Sequence, residues 1–316
     1  MSQRFEPWTL IADIGGTSAR FARVSAAGCS RPEILPTGGH PTIEAALEGV
    51  IPRLGGPAGL KAMAIAVAGP VDGARVKLTN ADWVIDRNAI AAHYGLGTVE
   101  ILNDFAALAL ALPHFGEKDL AVLQAGSPRP PGVMAVIGPG TGLGVAGLMP
   151  LPGGGWQPIA SEGGHATFAP ETAREWQVRE ILARRHGRIS LERVASGPGL
   201  LAVARALGAG DEAATPADVE ASASAPCRQA VEIFLTVLGR SAGDLALTMG
   251  ATRVFIGGGI LPRMVGRQDL SGLIRAFSDK GRISERLKEI PLSVIVAENP
   301  ALIGLAAHAK HLLALA

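Results

Sequence analysis

Cysteine is scarce in this chain. Only Cys29 and Cys227 occur, far apart and in no paired motif. That excludes a disulfide framework and a cysteine-built zinc site. Charge is also low: 18% of residues are charged and the formal net charge is +1, with no basic block. The electrostatic footprint of a nucleic-acid binder is therefore missing, and no such partner is expected. No apolar run reaches the roughly 18 residues that a membrane span requires, so no membrane association is expected. The opening stretch MSQRFEPWTLIADIGG does not read as a secretory leader, because its apolar part is short and runs into Asp13. A soluble cytoplasmic protein is the expectation. No G-x-x-x-x-G-K-[ST] phosphate loop is present.

What is present is ample. The 316 residues are enough for two domains of ordinary size. Hydrophobic residues make up 48%, which excludes global disorder. The 41 glycines have no collagen-like period, so they belong in turns or where backbone approaches a ligand. Residues 8–14 read as a strand ending in Gly-Gly, with 19–25 as the returning strand and 32–37 as a third. Residues 41–54 begin a helix with Pro41 at its first position, and 62–68 (AMAIAVA) read as a strand buried on both faces. Asp86 caps a helix to Tyr94, 99–102 is a strand, and 104–112 is a helix stopped by Pro113. The pattern then partly repeats. Strands are expected at 133–138, onward to Leu148, at 253–257 and at 292–296. Helices are expected at 171–186, at 226–249 and from Pro300 to about Leu315. Strands alternating with helices indicate an α/β protein, and two strand–turn–strand units suggest two similar halves.

Three glycine turns each follow a β-type run: Asp13-Ile14-Gly15-Gly16-Thr17, Gly138-Pro139-Gly140-Thr141-Gly142, and Gly257-Gly258-Gly259. Any one of them alone reads first as a hairpin turn. Three after three strands point to a nucleotide site, where backbone N–H groups converge on phosphate without a Cβ in the way. Asp13, at a strand end, is placed to hold a hydrated Mg²⁺. A G-x-G-x-x-G at Gly142, Gly144 and Gly147 lies within a strand-like run with no helix opening, which does not fit a dinucleotide fold.

Two polar clusters and one further carboxylate complete the set. Asn103-Asp104 sits at a strand-to-helix junction, where both residue types serve as caps. Alternatively Asn103 binds a ligand hydroxyl and Asp104 accepts its proton. In Ser161-Glu162-Gly163-Gly164-His165 the two glycines suggest a tight loop that turns Glu162 and His165 toward one point, suited to a sugar diol. Glu192 precedes Ser196-Gly197-Pro198-Gly199, which reads as a helix start.

The segments ADIGGTSARFA, LNDFAALALALP, IGPGTGLGVAGL, SEGGHATFAP, ERVASGPGL and FIGGGILPR, in this order, resemble the bacterial glucokinase family of the actin–hexokinase–Hsp70 ATPase superfamily. The run FSDKGRISERLKEIPLSVIVAENPALIGLAAH also looks like that family, so the likeness spans about residues 9–308. It implies a two-domain, actin-like (ribonuclease H-like) α/β fold with mixed sheets flanked by helices and the active site in the interdomain cleft. The small domain would be 1–114 plus 299–316 and the large domain 115–298. ATP and Mg²⁺ would be bound, with the first turn (Asp13, Gly15, Gly16, Thr17) and the second (Gly138, Gly140, Thr141, Gly142) on the phosphates. Gly257, Gly258 and Gly259 would line the adenosine pocket. Asn103, Glu162, His165 and Glu192 fall on the family's glucose positions and Asp104 on its catalytic base. Domain closure on the sugar would exclude water, and a homodimer is implied.

The related repressor/open-reading-frame/kinase family carries a Cys-rich zinc motif soon after the equivalent of His165. Here ATFAPETAREWQ follows instead, with no Cys until Cys227. That places the resemblance with the zinc-free branch, and a DNA-binding repressor is not expected. Two other readings stay open: a kinase for another hexose or an amino sugar, and a non-catalytic sugar sensor on the same fold.

Overall fold

The computed structural model describes residues 5–78, 82–127 and 130–315. By internal contacts the chain divides into two units, Met1–Phe115 with Glu298–Ala316, and Gly116–Ala297.

The first unit begins with β1 (Trp8–Ile14), β2 (Ser18–Ser25), β3 (Gly28–Cys29), β4 (Glu33–Pro36) and α1 (Ile43–Val50). It continues with β5 (Leu60–Val67), a small hairpin of β6 (Arg75–Lys77) and β7 (Val84–Asp86), α2 (Arg87–Tyr94), β8 (Thr98–Asn103) and α3 (Asp104–Ala111). The sheet order is β3-β2-β1-β5-β8, with β4 also on β2. The β1–β2 pair is antiparallel, whereas β1, β5 and β8 run parallel. The closing helix, Pro300–Leu315, belongs to this unit.

The run AMAIAVA explains how helices cover both faces. A strand alternates its side chains. Met63, Ile65 and Val67 join Leu10, Ala12 and Ile14 in one core. Ala62, Ala64 and Ala66 face the other way, into a core with Ala107 of α3 and Leu302, Leu305 and Leu312 of the closing helix. Alanines on that face leave room for two helices in close contact. Gly304 takes this furthest, since a Cβ there would overlap the Ala107 carbonyl oxygen and come within 2.8 Å of Ala111 N.

The closing helix is also tied to β8 by a 2.5 Å hydrogen bond between His308 Nε2 and Glu100 Oε2. That bond, from His308, holds the Glu100 carboxyl below its ordinary value. A depressed carboxyl contributes stability above its unfolded pKa and loses it as pH falls through the lowered native value. His308→Ala is therefore expected to cost about 0.2–1 kcal/mol at pH 7, the worth of a partly exposed pair. The cost should shrink in urea titrations run at a pH well below the ordinary glutamate value of about 4.3. An equal cost at both pH values would mean lost packing instead.

The second unit contains β9 (Leu120–Gln124), β10 (Met134–Pro139), β11 (Leu143–Pro150), β12 (Trp156–Ser161), α4 (Ala173–His186), α5 (Gly197–Ala206) and α6 (Pro216–Ala221). It ends with α7 (Ala225–Met249), β13 (Arg253–Ile256), α8 (Leu261–Met264), α9 (Ser271–Ser278), α10 (Ser284–Lys288) and β14 (Leu292–Ile295). Its sheet order is β12-β11-β10-β13-β14-β9. An antiparallel β10–β11 hairpin lies beside parallel β13 and β14, the same pattern as β1–β2 beside β5 and β8. The two halves thus repeat a ribonuclease H-like sheet. Buried α7 packs on α9 through Gly239 and Gly243, where a Cβ would overlap the Leu273 and Phe277 carbonyl oxygens.

Some expected boundaries move. The first helix runs from Ile43 to Val50 rather than over 41–54, starting after Thr42, whose hydroxyl accepts from Ala45 N and is its cap. Likewise α4 starts at Ala173 rather than 171, capped by Thr172, which accepts from Glu175 N. Asp86 caps α2 as expected, accepting from Asn88 N and Ala89 N. Cys29 is exposed, Cys227 is buried, and both are free thiols. No helix among the described residues is long and apolar enough to cross a membrane.

Candidate active site

Open α/β sheets present ligands at the carboxyl ends of their parallel strands. In the first unit, Ile14 is registered with Val67, and Val67 with Asn103. The first glycine turn and the Asn103-Asp104 pair therefore stand at the same sheet end, two strand spacings or about 10 Å apart. The turn is closed by Gly15 N donating to Ser18 O at 3.0 Å. It is braced by Thr37, whose hydroxyl donates to Gly15 O at 2.8 Å. Thr17 is exposed at its tip.

Asn103 is the cap of α3, its Oδ1 accepting from Phe105 N and Ala106 N. Its amide also donates to Gly69 O at 3.0 Å, holding the segment after β5 to the start of α3. The capping role considered for Asn103 is thus present in the structure, with one amide hydrogen still to place. Asp104 is the first residue of α3, half-buried, its Oδ1 accepting from Phe105 N at 2.9 Å.

In the second unit the backbone of Leu143 is a hub. Leu143 N donates to Glu192 Oε2 at 2.9 Å. The carboxylate reaches that point because Gly142 has no side chain, as a Cβ there would lie 2.6 Å from Glu192 Oε2. On the other side the Leu143 carbonyl presses against Gly164, where a Cβ would overlap it. The Gly163–His165 turn that results sets His165 Nε2 3.9 Å from Glu162 Oε2, with both side chains about 60% exposed (59% and 61%). Arg188 steadies the loop by donating to His165 O at 2.7 Å. Glu162, His165 and Glu192 are therefore gathered beside the second turn.

The second and third turns also meet. Gly258 has a φ of 77°, and a Cβ on it would overlap the Pro139 carbonyl oxygen. Gly257 N donates to Ile137 O at 2.9 Å, and Gly197 N, opening α5, donates to Gly140 O at 2.8 Å. Arg263 links the third turn to α6, donating to Gly259 O and pairing with Glu220 at 2.7 Å.

Asp13 lies across the β1–β2 hairpin from Arg20, whose Nη1 is 3.7 Å from its carboxylate. Burial nevertheless wins, raising the Asp13 pKa above its ordinary value against the opposing guanidinium charge. Among the described residues no group of three His, Cys, Asp or Glu could enclose a metal ion. The donor set is therefore one carboxylate, which fits a Mg²⁺ that keeps most of its waters and takes oxygens from phosphates.

Some of this was not visible as motif. Arg20 carried a signal, since a hairpin that turns at Gly15–Thr17 sets residues 13 and 20 opposite each other. Thr37 acts through its hydroxyl and Leu143 through its backbone, each on a residue distant in sequence, and neither left a signal.

The sequence profile of the family described as Glucokinase matches residues 10–312. A glucokinase of Chromobacterium violaceum is 44% identical over 97% of this chain and 91% of its own length. A glucokinase crystal structure from an Antarctic psychrotroph superposes with a TM-score of 0.85 at 33% identity, covering 97% of this chain and 99% of that one. The glucokinase of Balamuthia mandrillaris, solved with glucose, shares the fold at a TM-score of 0.79 and 19% identity, over 98% and 95% of the two chains. The chain belongs to the bacterial glucokinase family of ATP-dependent hexose kinases.

Proposed function

We propose that the chain transfers the γ-phosphoryl group of ATP to the 6-hydroxyl of D-glucose, giving ADP and glucose 6-phosphate at the entry to glycolysis. It would do so in the cytoplasm as a homodimer. The observation that carries this reading is the placing of Asp104 at the start of α3, on the same sheet end as the first glycine turn. A base and a phosphate cradle at one sheet end are what transfer to an alcohol needs.

The proposed small domain, 1–114 with 299–316, supplies Asp104 as general base, Asn103 for a sugar hydroxyl, and the amides of Gly15, Gly16 and Thr17. The proposed large domain, 115–298, supplies Glu162, His165 and Glu192 for the sugar. It also supplies Gly138–Gly142 for phosphate and Gly257–Gly259 for adenosine. Asp104 takes the proton as the 6-oxygen attacks phosphorus and the bond to the ADP oxygen breaks. Mg²⁺, held by Asp13 through water, would neutralise charge on the phosphates when bound. Arg20 keeps the Asp13 carboxylate oriented.

Glu162→Gln is expected to weaken glucose binding by about 1.5–3 kcal/mol, the worth of a charge-assisted hydrogen bond. The KM for glucose should then rise roughly 10–100-fold, with the KM for ATP unchanged. A glucose KM equal to wild type would remove Glu162 from the site.

A further inference from the structure

Helices α4 and α5 pack together, and a cavity of about 470 Å³ opens between them. Ile181, Leu182, Leu201 and Ala202 contribute apolar side chains to its lining. Arg185, Arg193 and Arg205 also line it together with His186, and no carboxylate does. A second cavity of about 150 Å³ shares Leu182, His186 and Arg193 with the first and reaches Thr141 and Glu192.

The three guanidiniums are unneutralised. Among the described residues none is in an ion pair, whereas Arg174, Arg240 and Arg263 of the same unit each meet a glutamate. Desolvation, then the Arg193 and Arg185 charges, hold the His186 pKa below its ordinary value. Cations in the last turn of a helix ordinarily complement its dipole, and Arg185 and Arg205 sit in such turns. Arg193 does not. It lies in a separate short turn, Leu191–Arg193, and is brought to the other two by the fold.

Guanidiniums bind phosphate bidentately, and a mostly apolar pocket of this volume suits an organic body. We propose that this cavity is a binding site for a small organic phosphate monoester. The phosphate lies among Arg185, Arg193 and Arg205, and the organic body lies on the α4 and α5 side chains. The lining of this larger cavity contains no residue of the glycine turns, and the proposal does not rest on the activity proposed above.

The test is calorimetric titration of the chain with phenyl phosphate, in the presence of saturating glucose and a non-hydrolysable ATP analogue. Binding is expected to persist under those conditions and to exceed that of inorganic phosphate. It should weaken at least tenfold in the double variant Arg185→Gln, Arg205→Gln, and also in Arg193→Gln. Thermal melts show whether each variant is folded, and Arg193→Gln decides if the double variant is not. Four results would overturn the proposal: no binding to wild type, affinity unchanged in folded variants, loss of binding when glucose and the analogue are added, or inorganic phosphate binding as tightly as phenyl phosphate. Variants that melt lower yet bind phenyl phosphate normally would show the arginines to be helix-end charges alone.

Discussion

Asp104→Asn is expected to lower kcat by about 10²–10⁴, the usual worth of a positioned general base. Asparagine is nearly isosteric and keeps an oxygen that can accept from Phe105 N, as Asp104 Oδ1 does now at 2.9 Å. The Asn103 cap of α3 and its bond to Gly69 O are untouched by the change. The variant therefore removes the proton-accepting carboxylate while keeping these helix-start hydrogen bonds. The KM for glucose should change little, because the proposed sugar carboxylates lie on other elements. Steady-state kinetics with a melting curve check both halves. Near-normal turnover in a folded Asp104→Asn enzyme would take the base role away from this residue.

Gly258→Val should have the largest effect on stability. Its φ of 77° costs a β-branched residue about 1–2 kcal/mol. The added side chain must also displace the Pro139–Gly138 backbone, whose carbonyl carbons lie 2.9 and 3.1 Å from the Cβ position. Overpacking against backbone adds about 1–3 kcal/mol. The sum, about 2–5 kcal/mol, should lower the Tm by roughly 5–15 °C. Gly140→Ala is the control, since a Cβ there meets nothing within 4 Å. It should melt within a degree or two of wild type. Equal melting of Gly258→Val and wild type would mean that the second and third turns do not abut as described.

The contrast between these two glycines marks how far the sequence could be read. Both stand in turns recognisable after β-type runs, and all three turns lie at carboxyl ends of strands, as their pattern implied. Which glycine is crowded and which is open depends on the neighbour across the turn, and no spacing reveals that. AMAIAVA was legible as a doubly buried strand because apolar residues fill both of its faces. The hairpin of β6 and β7 was not, with only three residues per strand. Strand β12 was hidden by Pro158, which is tolerated because β12 is a sheet edge. Helix α5 was read only as a start, since Gly197-Pro198-Gly199 is a poor helical opening that Ser196 makes workable by accepting from Gly199 N.

The candidate site divides in the same way. Glu162 and His165 were legible as a pair because two glycines between them force a tight turn. The reason for Gly164 in particular lies in the Leu143 carbonyl, a contact set by the β11–β12 pairing. Glu192 was legible only through resemblance. Its tie to Leu143 N shows how a residue 49 positions away reaches the second turn. Asn103 was ambiguous between cap and ligand, and the structure shows the cap.

The central claim is tested most directly by measuring ADP formed when the purified chain is given ATP, Mg²⁺ and one sugar at a time from a panel of hexoses and amino sugars. The expected result is rapid ADP formation with glucose, one equivalent per glucose 6-phosphate, and far less with N-acetylated sugars. Glucose binding with no ADP formed, or ADP formed only with another sugar, would contradict it.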